Sequence, residues 1–390
     1  MVKPGYKQTE IGVIPEDWSV TTIGLIADVK TGPFGSALHA DDYVEDGTPI
    51  ITVEHLGETG LTRQNLPMVS DQDKRRLSSY TMREGDIVFS RVGSVDRNAY
   101  VTAEEDGWLF SGRILRLRAK HESVSTKYLG YYFKAESAKE RIRSVAVGQT
   151  MASLNTKIMD AFKVVLPPIQ EQESIAKVLW SMDEIISALE AQLIKKKTIK
   201  QGAMQELLTG KKRLPGFSGE WENILLKKAL TVGHGMAQHR VESPEGKYPI
   251  LATGGMIGKA TQYLWDKPSV LIGRKGTINK PQYMDKPFWS IDTLFFTKIN
   301  EGYCPKFLYY VFCRIDWLSY NEASGVPSLS SKTIENISVR IPEYPEQVVI
   351  AELLSEMDSE IITLEQKLEK YRQLKQGMMQ QLLTGKIRLV

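Results

Sequence analysis

Residues 171–214 of this chain recur at 346–389, offset by 175 positions without a gap, with about 24 of 44 positions identical. Two copies make a pair of related halves rather than a solenoid. Both end in Gln-x-Leu-Leu-Thr-Gly-Lys-x-Arg-Leu, at 205–214 and 380–389. In the first copy Ile175, Leu179, Met182, Ile186, Leu189 and Leu193 step alternately by four and three residues. Ile350, Leu354, Met357, Ile361, Leu364, Leu368 and Tyr371 do the same in the second. This narrow apolar stripe with charge elsewhere is the seam of a coiled coil. Pro168 and Pro345 stand before the two stretches, and Thr209-Gly210 and Thr384-Gly385 follow them, so start and stop signals agree. The first helix is predicted over about 170–208, roughly 57 Å long at 1.5 Å per residue. Two nearly identical seams predict helices that face each other as a spacer. The competing reading is two independent surface helices, each packed on its own domain.

At 390 residues the chain is expected to form two or more domains with ample cores. The net charge of +3 is too small to identify a nucleic-acid partner, but its distribution is uneven. Residues 215–340 hold 15 Lys/Arg against 11 Asp/Glu, whereas 1–165 hold 21 against 22. A DNA-binding surface would therefore have to be a local patch. Cys304 and Cys313 are the only cysteines, which excludes a disulfide framework and a cysteine-based zinc cluster. No signal peptide or long apolar run is present, so a cytoplasmic location is expected.

Four segments follow in order: a globular segment over 1–165, a helix over 166–214, a globular segment over 215–340 and a helix over 341–390. The globular segments share faint parallels. Each opens toward a tryptophan, Trp18 or Trp221, then carries an apolar stretch and a Gly-containing loop. The strand-like runs Asp86-Ile-Val-Phe and Ser269-Val-Leu-Ile each meet a basic loop, starting at Ser90-Arg and Gly273-Arg. Tyr128-Leu-Gly-Tyr-Tyr-Phe parallels Phe307-Leu-Tyr-Tyr-Val-Phe. Short β-branched strands mixed with helical stretches point to α/β or α+β units. Divergence in the globular segments beside constancy in the helices suggests variable readers on a constant frame.

The segment order, the Leu-Pro-Pro-Ile-Gln-Glu-Gln entry ending at Gln172 and the Leu-Leu-Thr-Gly-Lys tails resemble the specificity (S) subunit of type I restriction–modification systems. The second helix enters through Ile341-Pro-Glu-Tyr-Pro-Glu-Gln347, a departure from the family's usual Leu-Pro-Pro form that affects one junction. The resemblance covers essentially the whole chain. It implies two α/β (α+β) target recognition domains, each reading half of a bipartite DNA target, separated by two long antiparallel coiled-coil helices in a pseudo-twofold arrangement. It also implies no catalysis in this chain and docking of two methylation subunits on 170–212 and 345–388. Restriction subunits would join through the methylation complex. S-adenosylmethionine, and ATP and Mg for restriction, would belong to those partners, and no membrane is involved. Two other readings stay open: the specificity subunit of a related system that cuts on both sides of its target, or a coiled-coil scaffold with degenerate DNA-binding domains.

Base readout uses forked donors and amides, and phosphate contact uses Lys, Arg and backbone N–H groups. Gly-punctuated basic loops supply both. The first domain offers Phe34, Ser36, His39, Arg63, Gln64, Asn65, Arg91, Arg97, Asn98, Gln149, Thr150 and Lys157. The second offers Gln238, His239, Arg240, Thr253, Lys259, Arg274, Lys275, Asn279, Lys280, Ser330 and Lys332. Arg91 and Arg274 lead, each ending a strand in matching context, against the plain reading of a solvated or salt-bridged loop arginine.

Other motifs fail on chemistry. Thr253-Gly-Gly-Met-Ile-Gly-Lys259 lacks the first glycine and the final Ser/Thr of a phosphate loop. Glu365-Gln-Lys367 has a nuclease-like spacing but lies on the charged flank of a heptad helix. The five histidines are scattered, which argues against a metal site built from them. No Asn/Asp-Pro-Pro-aromatic methyltransferase motif occurs. Lys195-Lys196-Lys197 and Lys200 read as a solvated helix face, with DNA or an acidic partner as the alternative. Gly202 and Gly377, at the same place in both helices, suggest a close crossing or bend, since mid-helix Gly costs about 1 kcal/mol relative to Ala.

If the helices act as a ruler between half-sites, about one helical turn inserted after Lys200 lengthens the non-specific gap by roughly one base pair. Mapping the methylated motif of the insertion variant reads this out. An unchanged motif in a variant that still binds rejects the ruler.

Overall fold

The computed structural model describes residues 3–33, 38, 42–57, 60–148 and 151–389. The chain divides into two compact units: 1–190 with 367–390, and 191–366. The division falls inside the long helices, so each helix belongs partly to both units, unlike the four sequential segments expected from sequence.

In the first unit a four-stranded antiparallel sheet is built from Ala27–Thr31, Ile87–Ser90, Asn98–Tyr100 and Ile114–Ala119. Numbered by position in the chain, these strands lie in the order first, fourth, second, third. A second four-stranded sheet, of shorter strands, contains Thr48–Ile51, whose Ile50 and Ile51 pair in parallel with Leu109 and Phe110. Lys163–Leu166 pairs antiparallel with Ser19–Thr22. The helix Thr126–Lys134, capped by the Ser125 hydroxyl, buries Tyr128, Leu129, Tyr131, Tyr132 and Phe133.

The second unit repeats this plan. Leu230–His234, Ser269–Gly273, Gln282–Met284 and Leu294–Ile299 form an antiparallel sheet with the same strand order. Ile250 and Leu251 pair in parallel with Trp289 and Ser290. Glu222–Leu225 pairs with Ser338–Ile341. The helix Pro305–Arg314 buries Phe307, Leu308, Tyr310, Val311 and Phe312. Both units are thus mainly antiparallel α+β structures of one topology, which the faint sequence parallels only hinted at.

The long helices span Ile169–Leu207 and Tyr344–Leu382, 39 residues each. Pro345 lies in the first turn of the second, where a missing N–H costs nothing, so the divergent junction still starts a helix. Within each unit the start of one helix and the end of the other enter a common core. Ile175, Leu179, Leu382 and Leu383 share one with Trp18, Tyr128 and Phe133. Ile350, Leu354, Leu207 and Leu208 share the other with Trp221, Phe307 and Phe312. The first two positions of each predicted seam are therefore also domain core. Met182, Ile186, Leu189, Ile361 and Leu368 are buried, while Leu193, Met357 and Leu364 are half-buried.

Charges pair across the helices within each unit. Asp183 meets Lys375 at 2.5 Å and Glu190 meets Arg372 at 2.7 Å in the first. In the second, Lys196 meets Glu360 at 2.6 Å, Lys197 meets Glu365 at 2.7 Å, and Lys200 pairs with Asp358. The partners run in opposite directions along the two helices, which fixes them as antiparallel. Three lysines expected to form a solvated face or to meet DNA thus serve as helix-to-helix ion pairs. A Cβ added at Gly202 or Gly377 would meet open space, and the helix is continuous through both. The close crossing or bend expected there is absent; these glycines are solvent-facing interruptions.

Each unit is closed by a clamp that repeats at the 175 offset. Gln172 accepts a hydrogen bond from Ser125 N at 2.9 Å and donates to Pro167 O at 2.8 Å. Gln347 accepts from Cys304 N at 2.9 Å and donates to Pro342 O at 2.9 Å. At the far end of each helix Gly210 and Gly385 adopt φ of 69° and 68°, and their missing side chains admit Trp221 in the one case and Pro15 with Trp18 in the other. The turn sends Arg213 onto Glu346 through two 2.7 Å hydrogen bonds. Arg388 reaches Glu171 at 2.7 and 2.9 Å, and Asp17 at 2.6 Å. Trp18 Nε1 also donates to Glu171 at 2.9 Å. Glu171 and Glu346 are buried. The Arg388 guanidinium pulls the Asp17 carboxyl below its ordinary range, and its bonds to Glu171 and Asp17 hold it firmly protonated.

Replacing Arg388 by Met strands the Glu171 carboxylate and is expected to cost about 2–4 kcal/mol, read as a fall in melting temperature. Adding Glu171→Gln restores part of that loss. Additive losses in the double variant reject the clamp.

Candidate nucleic-acid interface

The loop after the second strand of each four-stranded sheet is tied down in the same way. Arg91 N donates to Arg113 O and Arg91 O accepts from Leu154 N, both at 2.8 Å. Arg274 N donates to Thr293 O at 2.8 Å and Arg274 O accepts from Leu329 N at 2.9 Å. The guanidinium groups lie over carbonyls as well: Arg91 donates to Leu154 O at 3.3 Å and Gly112 O at 3.4 Å, Arg274 to Asp292 O at 3.4 Å. These long bonds give both arginines a loop-latching geometry at matching positions. Each side chain is half-buried.

In the first unit this latch brings the loop 91–97 against 152–154, through Gly93 N to Ala152 O at 2.8 Å and a bridge between Val92 and Ser153. Lys157 follows, exposed in the first turn of the helix Thr156–Ala161, which Asn155 caps. The second unit matches it: Ser330 caps Ser331–Glu335 at 3.1 Å from Thr333 N, and Lys332 is exposed. Lys275 bridges to Ser328, and Gly276 N donates to Pro327 O at 2.9 Å. The Thr253 hydroxyl lies beside Gly276. Thr253, Arg274, Lys275, Ser330 and Lys332 are thereby gathered on one loop cluster, with Asn279 and Lys280 exposed further along the 274–280 loop.

Other nominated residues are dispersed. Gln238, His239 and Arg240 form a turn whose backbone carbonyl at Gln238 accepts from Val241 and Glu242. That turn leads to Ser243, whose N–H donates to Lys259 O at 2.9 Å. Arg63 is held by Glu105 at 3.0 Å and by Glu104, and lies over Trp108. Gln64 is exposed, but its carbonyl faces the buried His55 ring at 3.2 Å. Asn65 has φ 54°, a left-handed turn position. Arg97 is exposed and donates to Leu56 O. Phe34, Ser36, His39, Gln149 and Thr150 lie outside the described residues.

Asn98 departs most from expectation. It opens a buried strand, is 5% exposed, and donates to Asp96 O and Phe133 O, each at 3.2 Å. Its Oδ1 is buried without a partner among the described residues. Its amide holds the loop to the helix Thr126–Lys134 and is not presented to a groove.

Sequence reading missed the duplicated Tyr–Asp–Lys groups. Tyr131 donates to Asp183 at 2.7 Å, beside Lys375, and Tyr310 donates to Asp358 at 2.7 Å, beside Lys200. Burial and the neighbouring aspartate push both phenols far above their ordinary range. The 175 offset applied to charged residues carries this signal, since Asp183/Asp358 and Lys200/Lys375 are each identical pairs. Among the described residues no cluster of His, Cys, Asp and Glu suits a metal ion, and no helix is long and apolar enough to cross a membrane.

Two units of one topology, each presenting its own polar, arginine-latched loop cluster, define a protein with two recognition domains. The family model for the type I restriction modification DNA specificity domain matches residues 15–198 and 219–375. The chain belongs to that family and is a type I restriction–modification specificity subunit. It is 25% identical to the putative type I restriction enzyme MjaX specificity subunit of Methanocaldococcus jannaschii, covering 98% of this chain and 97% of that one. The MjaVIII specificity subunit of the same organism is 24% identical, covering 96% and 94%. The crystal structure of the S subunit from M. genitalium shares the fold with TM-score 0.68 at 16% identity, covering 94% of this chain and 96% of that one. A chain from a structure concerning complex assembly and conformational transition of the type I system aligns with TM-score 0.54 at 13% identity, covering 96% of this chain and 99% of that one.

Asn98→Ala is expected to destabilise the chain by about 1–3 kcal/mol, because the buried Phe133 carbonyl and the part-buried Asp96 carbonyl lose their donor. The loss is read in thermal melts, while the methylated motif stays that of the parent. A changed motif with an unchanged melt returns Asn98 to the interface.

Proposed function

We propose that the two recognition domains read the two halves of an asymmetric, bipartite duplex target, while the helices dock the methylation subunits. The carrying observation is the pairing of one duplicated frame with unlike loops. Arg91 and Arg274 share the same backbone latch, yet the loops that follow them differ in length and in polar groups. Identical frames with different reading groups suit unlike half-sites, whereas a symmetric target would need like loops.

In this reading the chain performs no chemistry. The methylation subunits bring S-adenosylmethionine, and the restriction subunits, with ATP and Mg, join through them. Two methylation subunits follow from two helix starts of the same build. The exposed lysines Lys157, Lys275 and Lys332 supply phosphate contacts that set register, and the side chains of Gln238, His239, Arg240 and Asn279 are offered to base edges. A both-sides-cutting system keeps the same reader with different partners, which co-purified subunits distinguish.

Long-read mapping of modified adenines in a host expressing this chain with its methylation subunit is expected to give a split motif with unlike halves, modified in both. Mobility shifts of duplexes carrying that motif should weaken linearly in log affinity against log salt. A continuous or palindromic motif, or no modification with an intact complex, overturns the proposal.

A further inference from the structure

The first unit holds an open cavity of about 640 Å³ between the loop before Asn98, the helix Glu136–Val145 and the end of the second long helix. Its polar wall consists of Asp96, Arg97, Asn98, Lys134, Lys139 and Lys375. The negative charge present is already committed. Asp96 pairs with Arg143 at 2.5 Å, and the neighbouring Asp183 pairs with Lys375 at 2.5 Å. Arg97 rests on the Leu56 carbonyl, which accepts a hydrogen bond but cancels no charge. Lys134 and Lys139 have no carboxylate partner among the described residues. The Lys134 ammonium stands 6.0 Å from the centre of the Tyr131 ring. Burial first, and then Lys375 and Lys139, push the Lys134 amine down to about 8, with Asp183 opposing.

The duplication supplies an internal comparison. The second unit has a cavity of about 580 Å³ at the matching place on its frame, where Lys200 stands for Lys375 and Met204 for Met379. Lys134 corresponds there to Cys313, the residue just after the matched aromatic run. The frame therefore folds with a small neutral side chain at this point, and packing does not require a lysine. An uncompensated ammonium in a half-buried place costs free energy unless an anion meets it.

We propose that this cavity is a binding site for a phosphate group, held by Lys134, Lys139 and Arg97. Three cationic donors lining one cavity match a tetrahedral oxyanion, and the committed carboxylates leave their charge for it. The cavity is far larger than one ion and open to solvent, so the group arrives attached to something. The sources are the backbone of a nucleic acid or a free phosphorylated small molecule. The free source stands apart from the DNA-reading function, and the backbone source rests on it.

The test uses the full chain with its methylation subunit, as wild type, Lys134→Cys, Lys134→Arg and Lys139→Ala. Lys134→Cys copies the residue of the other unit, and a melt matching the parent in phosphate-free buffer establishes its fold. In the first arm inorganic phosphate is titrated against the thermal melt at constant ionic strength, with chloride as control. Stabilisation by phosphate in the parent and Lys134→Arg, lost in Lys134→Cys and Lys139→Ala, supports the site. In the second arm the salt dependence of duplex affinity is measured, and a slope smaller by about one in Lys134→Cys supports a backbone phosphate. Loss of the phosphate effect with an unchanged slope supports a free phosphorylated ligand. Phosphate response and slope both equal to the parent's in Lys134→Cys overturn the proposal, whatever motif the complex methylates.

Discussion

A buried carboxylate at the first turn of each long helix, met by an arginine from just beyond the end of the other, is the constraint on which each unit depends. Glu171 with Arg388 and Glu346 with Arg213 are the same pair written twice. A lone buried carboxylate would be strongly disfavoured, so the helix start is stable only when the opposite tail arrives. The Thr-Gly-Lys-x-Arg-Leu tail is the device that delivers it. Glycine in the left-handed region turns the chain and lets a tryptophan ring lie against its backbone, and the arginine follows three residues later. The glutamine beside the glutamate fastens the same helix start to the helix preceding it in the core.

Between these clamps the helices are held by modest forces. Their apolar stripe is only partly covered at Leu193, Met357 and Leu364, and the Lys196–Glu360, Lys197–Glu365 and Glu190–Arg372 ion pairs are largely solvent-exposed, each worth at most about 1 kcal/mol. Ile194, Ile199, Ile362 and Leu374 remain exposed on this stretch. The firmest interactions of the frame lie where helices enter the domain cores. The loops that carry Arg91 and Arg274 hang from those cores through backbone latches and short bridges, so such a loop can change its outer side chains without disturbing the clamp.

The two units differ where their frame leaves freedom. Lys134 and Cys313 occupy one place in one plan, as do Gly130 and Tyr309. Asn98 shows the opposite case. Its loop composition pointed to a groove-facing amide, but the strand pairing that begins at Asn98 turns the side chain into the core.

The helices, their duplication and their ends were legible in the chain because they rest on local signals: a four-and-three apolar step, proline before it and Thr-Gly after it. The family was legible for the same reason, through the repeated entry and tail motifs. The sheet order, the clamps and the arginine latches were not, because each joins residues far apart in sequence, such as Glu171 with Arg388 or Arg91 with Leu154. Composition marks a loop as polar, yet only strand register decides which of its side chains face inward. The sequence alone therefore determined two related readers on a helical frame. Tertiary structure decided which charges are spent holding that frame and which are left for a ligand, since pairing depends on distance in space.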